Sequence, residues 1–285
     1  MAKIRTAFTD LVGCTLPIQL AAMGGVGTAE LAAAVANAGG LGMVPMGVEP
    51  PGTGAVGQNF VVDVELDLDI FSEAAGKARV VEFFYAWPRR DYVEAVKAAG
   101  ALAAWQVGSA EEARAAQASG CDFIIAQGTE AGGHVRGTTS LDILLPAVLD
   151  AVSVPVLAAG GIATAGRVAE LMRRGASGVR VGTLFLATPE CDTHPAYLRR
   201  LLEATGGDTV ITTHYDEGWP DAPHRVLRSS LEAAEKSGWR KTATPSRSSP
   251  DERVEAMAMY AGTGVGYVIE VRAASEVVAE LSGDL

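Results

Sequence analysis

Residues 101–134 read ALAAWQVGSAEEARAAQASGCDFIIAQGTEAGGH, and the order of patterns within them decides the fold. Positions 101–106 are an apolar run of strand length. Ser109 can cap the Ala-rich helical stretch 110–119, Gly120 can end it in a left-handed backbone, and 122–127 is a second apolar run. Strand, helix and strand in that order imply parallel pairing through a right-handed crossover. The same unit recurs on both sides. The strand candidates are 17–22, 41–45, 79–84, 101–106, 122–127, 154–159, 178–182 and 208–213, and helical patterns run over 28–38, 91–99, 110–119, 141–152, 164–174 and 195–205. Thr28, Ser140 and Thr164 can open helices, and Gly39, Gly100 and Gly175 can end them. Eight such strands predict an α/β fold, a (β/α)8 TIM barrel, with an open doubly wound sheet as the alternative.

Two stretches break the rhythm. Residues 48–76 are rich in Gly, Pro and Asp, with an extra extended segment near 59–64 and no firm helix before Asp69. Residues 215–251 are polar and broken by proline, and include the low-complexity run 242–250. The second offers too little core for a domain, so it reads as a lid or excursion on a barrel made of 1–214 and 252–285.

The chain has 285 residues, which suits one barrel of about 250 residues with an excursion. With 48% hydrophobic and 20% charged residues it can bury a large core, which excludes a disordered, collagen-like or disulfide-stapled protein. A net charge of −11 disfavours nucleic acid and anionic membrane surfaces and favours a small-molecule partner. Cys14, Cys121 and Cys191 are far apart and form no CxxC pair, so neither a disulfide framework nor a metal site is expected, and a reducing cytoplasm is the natural compartment. The uncharged runs 11–29 and 31–48 contain Pro17, Gln19, Asn37 and Pro45, and read as neither a membrane span nor a signal peptide.

Barrel enzymes work at the carboxyl ends of their strands, so the loops there carry the functional reading. Ala22-Met23-Gly24-Gly25 follows the first candidate strand and strips side chains from a backbone that could approach a flat or anionic group. Gln127-Gly128-Thr129-Glu130-Ala131-Gly132-Gly133-His134 follows the fifth. Its histidine titrates near neutrality and can move a proton, and Gln127 carries a donor and an acceptor on one amide. Gly160-Gly161 and Val181-Gly182-Thr183 follow the next two strands, where backbone amides could hold a phosphate. Residues 52–57 spell GxGxxG, but they follow Pro50-Pro51 and precede an extended segment, so they read as a loop. The chain has no P-loop and no GxSxG elbow. His194, His214 and His224 lack ligand spacing and read as structural, and Cys121 as a small core residue.

Together these segments, with Asn59, 155–162, 181–187 and Met259-Tyr260-Ala261-Gly262, resemble the nitronate monooxygenase family, formerly 2-nitropropane dioxygenases, which are FMN-dependent TIM-barrel flavoproteins. The resemblance implies that Ala22, Met23 and Gly24 border the flavin, that Asn59 and Gln127 bond its polar edge, and that Gly132 approaches it closely. It assigns the phosphate to Gly160, Gly161, Gly182 and Thr183, with Arg180 and Val181 in the same strand end. It makes His134 the catalytic base and puts Tyr260 near the substrate. The implied reaction is oxidation of an alkyl nitronate, or a nitroalkane, with O2 to a carbonyl compound and nitrite, with a homodimer as one assembly the resemblance allows. FMN-dependent NAD(P)H enoyl-acyl carrier protein reductases carry nearly the same segments and form the alternative, beside a non-redox barrel that binds a phosphorylated ligand. Residues 214–227 look more like the monooxygenases. The chain departs from the family at Ala22, where proline is usual, at Gln58 before Asn59, and in its short stretch between Pro50 and Arg79.

Overall fold

A computed structural model describes residues 4–62 and 65–285. In chain order its regular elements are α1 (Ala7–Val12), β1 (Ile18–Leu20), α2 (Ala29–Asn37), β2 (Gly42–Pro45), β3 (Val56–Val61), α3 (Leu68–Lys77), β4 (Val80–Phe84), α4 (Arg90–Ala98), β5 (Leu102–Val107), α5 (Ala110–Ser119), β6 (Phe123–Gln127) and β7 (Gly133–His134). They continue with α6 (Leu141–Ala151), β8 (Val156–Ala159), α7 (Ala165–Arg173), β9 (Gly178–Val181), α8 (Pro195–Glu203), β10 (Thr209–Thr212), β11 (His224–Leu227), α9 (Arg228–Ser237), α10 (Asp251–Val254) and α11 (Ala274–Leu281).

Eight strands pair in parallel in the order β1-β9-β8-β6-β5-β4-β3-β2. The sheet closes on itself because the Leu41 N–H donates to Ile18 O and the Leu20 N–H to Leu41 O, both at 2.9 Å. This is the expected TIM barrel, but one of its strands is not the expected one. The extended segment near 59–64 is part of the wall as β3, at positions 56–61, with 63–64 outside the described residues. The candidate at 208–213 is instead β10, which pairs antiparallel with β11, and β11 pairs with β7 in a separate three-stranded sheet. The strands before Gly160 and Gly182 are therefore the seventh and eighth of the barrel, where barrels characteristically build phosphate sites. No helix separates β2 from β3, because Pro50, Pro51, Gly52 and Gly54 occupy a connection too short and too proline-broken to form one. Helix α3 begins at Leu68, capped by the Asp67 carboxylate accepting from the Asp69 N–H.

Thr28, Ser109 and Thr164 cap their helices as the sequence suggests, each side chain accepting a first-turn amide. Ser140 does not. The Glu130 carboxylate takes that place by accepting the Leu141 N–H at 2.9 Å, which ties the loop before His134 to α6. Gly39, Gly100, Gly120 and Gly175 have φ between +91° and +105°, the left-handed conformation that ends a helix without a Cβ clash. Cys14, Cys121 and Cys191 are buried.

The outer core holds an aromatic cluster that docks α3 and α4 on the barrel wall. Phe71 meets Phe60 at 5.2 Å, Phe83 at 5.0 Å and Tyr92 at 4.6 Å, and Phe83 stacks obliquely on Trp105. Phe71→Ala is expected to destabilise the protein by about 3–5 kcal/mol in urea unfolding, since the cavity is walled by rigid rings that cannot collapse. A loss below about 1 kcal/mol would show that α3 docks by other contacts.

Candidate active site

A cavity of about 710 Å³ opens at the carboxyl ends of the barrel strands. Ala22, Met23, Gly24, Asn59, Gln127, Gly132, His134, Gly160, Gly161, Arg180, Val181, Gly182, Thr183 and Tyr260 all line it. Residues separated by up to 238 positions thus converge because the closed sheet brings every strand end to one rim.

The cavity floor rests on a polar layer inside the barrel. Glu82 of β4 is fully buried and accepts from Gln19 Nε2 at 2.8 Å, from Asn59 Nδ2 at 2.7 Å and from the Arg180 guanidinium. Cross-strand register puts Asn59 beside Glu82 and Gln19 beside Arg180, so the four side chains share one level. The arrangement leaves Gln19 Oε1 buried without a partner. Arg180 is the only Lys or Arg on the cavity wall among the described residues.

Beside this floor the backbone forms a cradle of amides. Gly160 and Gly161 have φ of +117° and +67°, and a Cβ on Gly161 would stand 2.8 Å from Thr263 Oγ1, so the turn tolerates only glycine. The N–H groups of Gly161, Gly182 and Thr183 have no acceptor among the described residues. Unpaired backbone donors converging on one cavity suit a phosphate. Thr183 Oγ1 accepts the Gly262 N–H at 3.0 Å, which leaves its own hydroxyl hydrogen for the same purpose.

His134 lines the same cavity. Strand β7 places it opposite His224 of β11. Gln127 does not present its whole amide to the cavity: its Nε2 donates to His134 O at 2.9 Å and its Oε1 accepts the Arg136 N–H at 3.1 Å, so one amide hydrogen and one lone pair remain. Gly132 is glycine for packing, since a Cβ there would lie 2.6 Å from Gly262 N. The imidazole is enclosed by rings. Trp219 lies 4.0 Å away at 31°, His224 at 5.2 Å, Tyr260 at 5.8 Å and Tyr85 at 6.0 Å between centroids. Burial, with a smaller contribution from His224, pushes the His134 pKa down to about 3, and burial also lowers His224. Burial pushes the Tyr260 phenol up. His134 Nε2 and the Tyr260 hydroxyl are buried without partners. A neutral, desolvated imidazole here can accept a proton at a free nitrogen or donate an N–H to an anionic oxygen.

Four residues of the site escaped the sequence reading. Glu82 had a signal, a lone charge within Val80-Val81-Glu82-Phe83-Phe84. Tyr85 follows that strand with φ +86°, a strained conformation for a non-glycine residue that no local pattern announces. Trp219 and His224 reach His134 only through the pairing of β11 with β7.

A sequence model of the family described as Nitronate monooxygenase matches residues 5–58 and 52–284. A (3aS,4S,5R,7aS)-5-hydroxy-7a-methyl-1-oxo-octahydro-1H-indene-4-carboxyl-CoA dehydrogenase of Mycobacterium tuberculosis is 36% identical over 254 residues, covering 84% of this chain and 70% of that protein. Among solved structures, FabK from Thermotoga maritima superposes with a TM-score of 0.85 at 28% identity, covering 99% of this chain and 96% of the other. The nitroalkane oxidase of Streptomyces ansochromogenes gives 0.78 at 28% identity, covering 98% of each chain. No helix among the described residues is long and apolar enough to cross a membrane.

Two outcomes follow from the lowered pKa values of the two imidazoles. Above about pH 6.5 both are neutral whether the chain is folded or not, so they add no pH dependence. Below it the unfolded chain takes up protons that the folded one refuses, so stability falls as the pH drops from about 6.5 towards about 3. Urea midpoints at pH 7 and pH 4.5 should differ more for the natural protein than for His134→Asn, and equal losses would mean that the imidazole is solvated. Trp219→Ala admits water to the ring, and NMR titration should then show the His134 pKa moving up towards 6.5.

Proposed function

The chain belongs to the nitronate monooxygenase family, and from that premise we propose that this oxidoreductase uses FMN to oxidise small alkyl nitronates, or their parent nitroalkanes, with O2 to a carbonyl compound and nitrite. The observation that carries the reading is the pairing, across one cavity, of an acceptor-free amide cradle with a buried, partnerless nitrogen on His134.

The residues present fit FMN. The Gly161, Gly182 and Thr183 amides would hold the phosphate, and Ala22 and Gly24, beside Met23, leave room along the wall for the ring system, since a Cβ on Gly24 would meet nothing within 4 Å. Arg180 and Asn59 would meet its polar edge from the floor. When bound, FMN would supply the electron acceptance and the O2 chemistry that side chains lack.

His134 acts on the proton. Its depressed pKa keeps the base form present at every working pH, and Nε2 is free to take the acidic α-proton of a nitroalkane. The imidazolium so formed is stable only beside the new nitronate charge, which holds product and base together in a site that Trp219 shields from water. With a preformed nitronate the same ring donates an N–H to an oxygen, and no proton abstraction is needed. Tyr260, with its hydroxyl buried and unpaired, would supply a second donor.

A second reading rests on the relative that is 36% identical and named a carboxyl-CoA dehydrogenase. The α-proton of an acyl-CoA thioester is also acidic, and the same base would remove it before oxidation. Anaerobic mixing of the FMN-loaded protein with a nitronate, an acyl-CoA, NADH or NADPH separates the readings. Bleaching of the flavin by nitronate alone supports the oxidase, bleaching by the thioester the dehydrogenase, and bleaching by a pyridine nucleotide a reductase. For His134→Asn, nitroalkane turnover should fall by about 10²–10⁴-fold while nitronate turnover falls far less and the flavin remains bound. Full retention of nitroalkane turnover would remove His134 from the reaction.

A further inference from the structure

A TIM-barrel interior is ordinarily filled by layers of branched apolar side chains. This one buries a carboxylate and a guanidinium at the same level. Removing two such charges from water costs several kcal/mol per ion, and well-packed apolar residues in their place are often as stable or more so. A stability argument therefore does not account for the pair. Its geometry gives another reason. Glu82 is not on the cavity wall, yet two of the three side chains it holds, Asn59 and Arg180, are. Gln19 completes the set by turning its amide nitrogen to Glu82 at the expense of an orphaned Oε1. The carboxylate thus fixes the direction of both floor residues, and it neutralises the only cation they present.

We propose that Glu82 is a positioning residue that sets the electron affinity of the bound flavin, by holding Arg180 and Asn59 against the cavity floor and cancelling the Arg180 charge. The inference rests on the reading that the cavity takes FMN. A positive charge beside a flavin favours the electron-richer state, and its buried counter-charge opposes that effect. Loss of the Glu82 charge leaves the Arg180 charge uncompensated at the floor.

The test compares the midpoint potential of FMN in the natural protein, in Glu82→Gln and in the doubly neutral Glu82→Gln/Arg180→Gln, together with FMN affinity by fluorescence quenching. Glu82→Gln should raise the potential. Equivalently, the ratio of affinities for the two redox states should shift by about tenfold or more, a modest demand against a nearby charge in a partly dry site. The double variant should return towards the natural value, because no net charge is then left at the floor. It also leaves no buried ion unpaired, so if the single variant folds poorly, a double variant whose potential departs from the natural value by that margin overturns the inference. Bound FMN with the same potential in all three proteins overturns the inference and leaves the FMN reading intact. A natural protein that binds no FMN overturns both.

Discussion

A carboxylate at the centre of a closed barrel must be answered by donors, and in this protein the answer comes from three other strands. Gln19, Asn59 and Arg180 reach Glu82 from β1, β3 and β9, so the barrel is bound across its interior as well as around its wall. Each of these side chains can meet Glu82 only if the strand register is correct. A slip by one residue would turn the side chain out of the barrel and leave a buried charge alone. The polar layer specifies one register, and by doing so it sets the level at which the cavity begins.

Above that level the site divides into two chemistries with different physical origins. The cradle around Gly160, Gly161, Gly182 and Thr183 is polar through backbone amides and the Thr183 hydroxyl, a local polarity independent of the net charge of −11. The surroundings of His134 are aromatic instead. His134 lies beneath Trp219 and among Tyr85, His224 and Tyr260, and this desolvation keeps the imidazole neutral. Segment 209–227 makes this enclosure possible, because β11 pairs with β7 and carries the covering turn over the histidine. Part of the 215–251 stretch, which reads from sequence as a lid or excursion, thus supplies the surroundings of His134.

The alternation of apolar runs with capped helices made the barrel legible, and the Gly-rich strand ends marked its working face. The errors lie where local pattern carries no information about partners. The runs at 59–64 and 208–213 look alike as isolated strands, and only the closed hydrogen-bond order shows that β3 belongs to the wall and β10 does not. Ser140 is a plausible cap by type, but Glu130 reaches the helix start from the preceding loop. Gln127 has the right groups for a ligand edge, yet the His134 and Arg136 backbone takes up half of its capacity.

By itself the sequence determined the alternating architecture, the rim on which the site lies and the loop residues that line it, because period, caps and glycine positions are local properties of a chain. Tertiary structure alone decided the protonation state of His134, the company of Glu82 and the role of Trp219. Those depend on burial and on distances between residues far apart in sequence, and both arise only when strands close into a barrel and β11 crosses to β7.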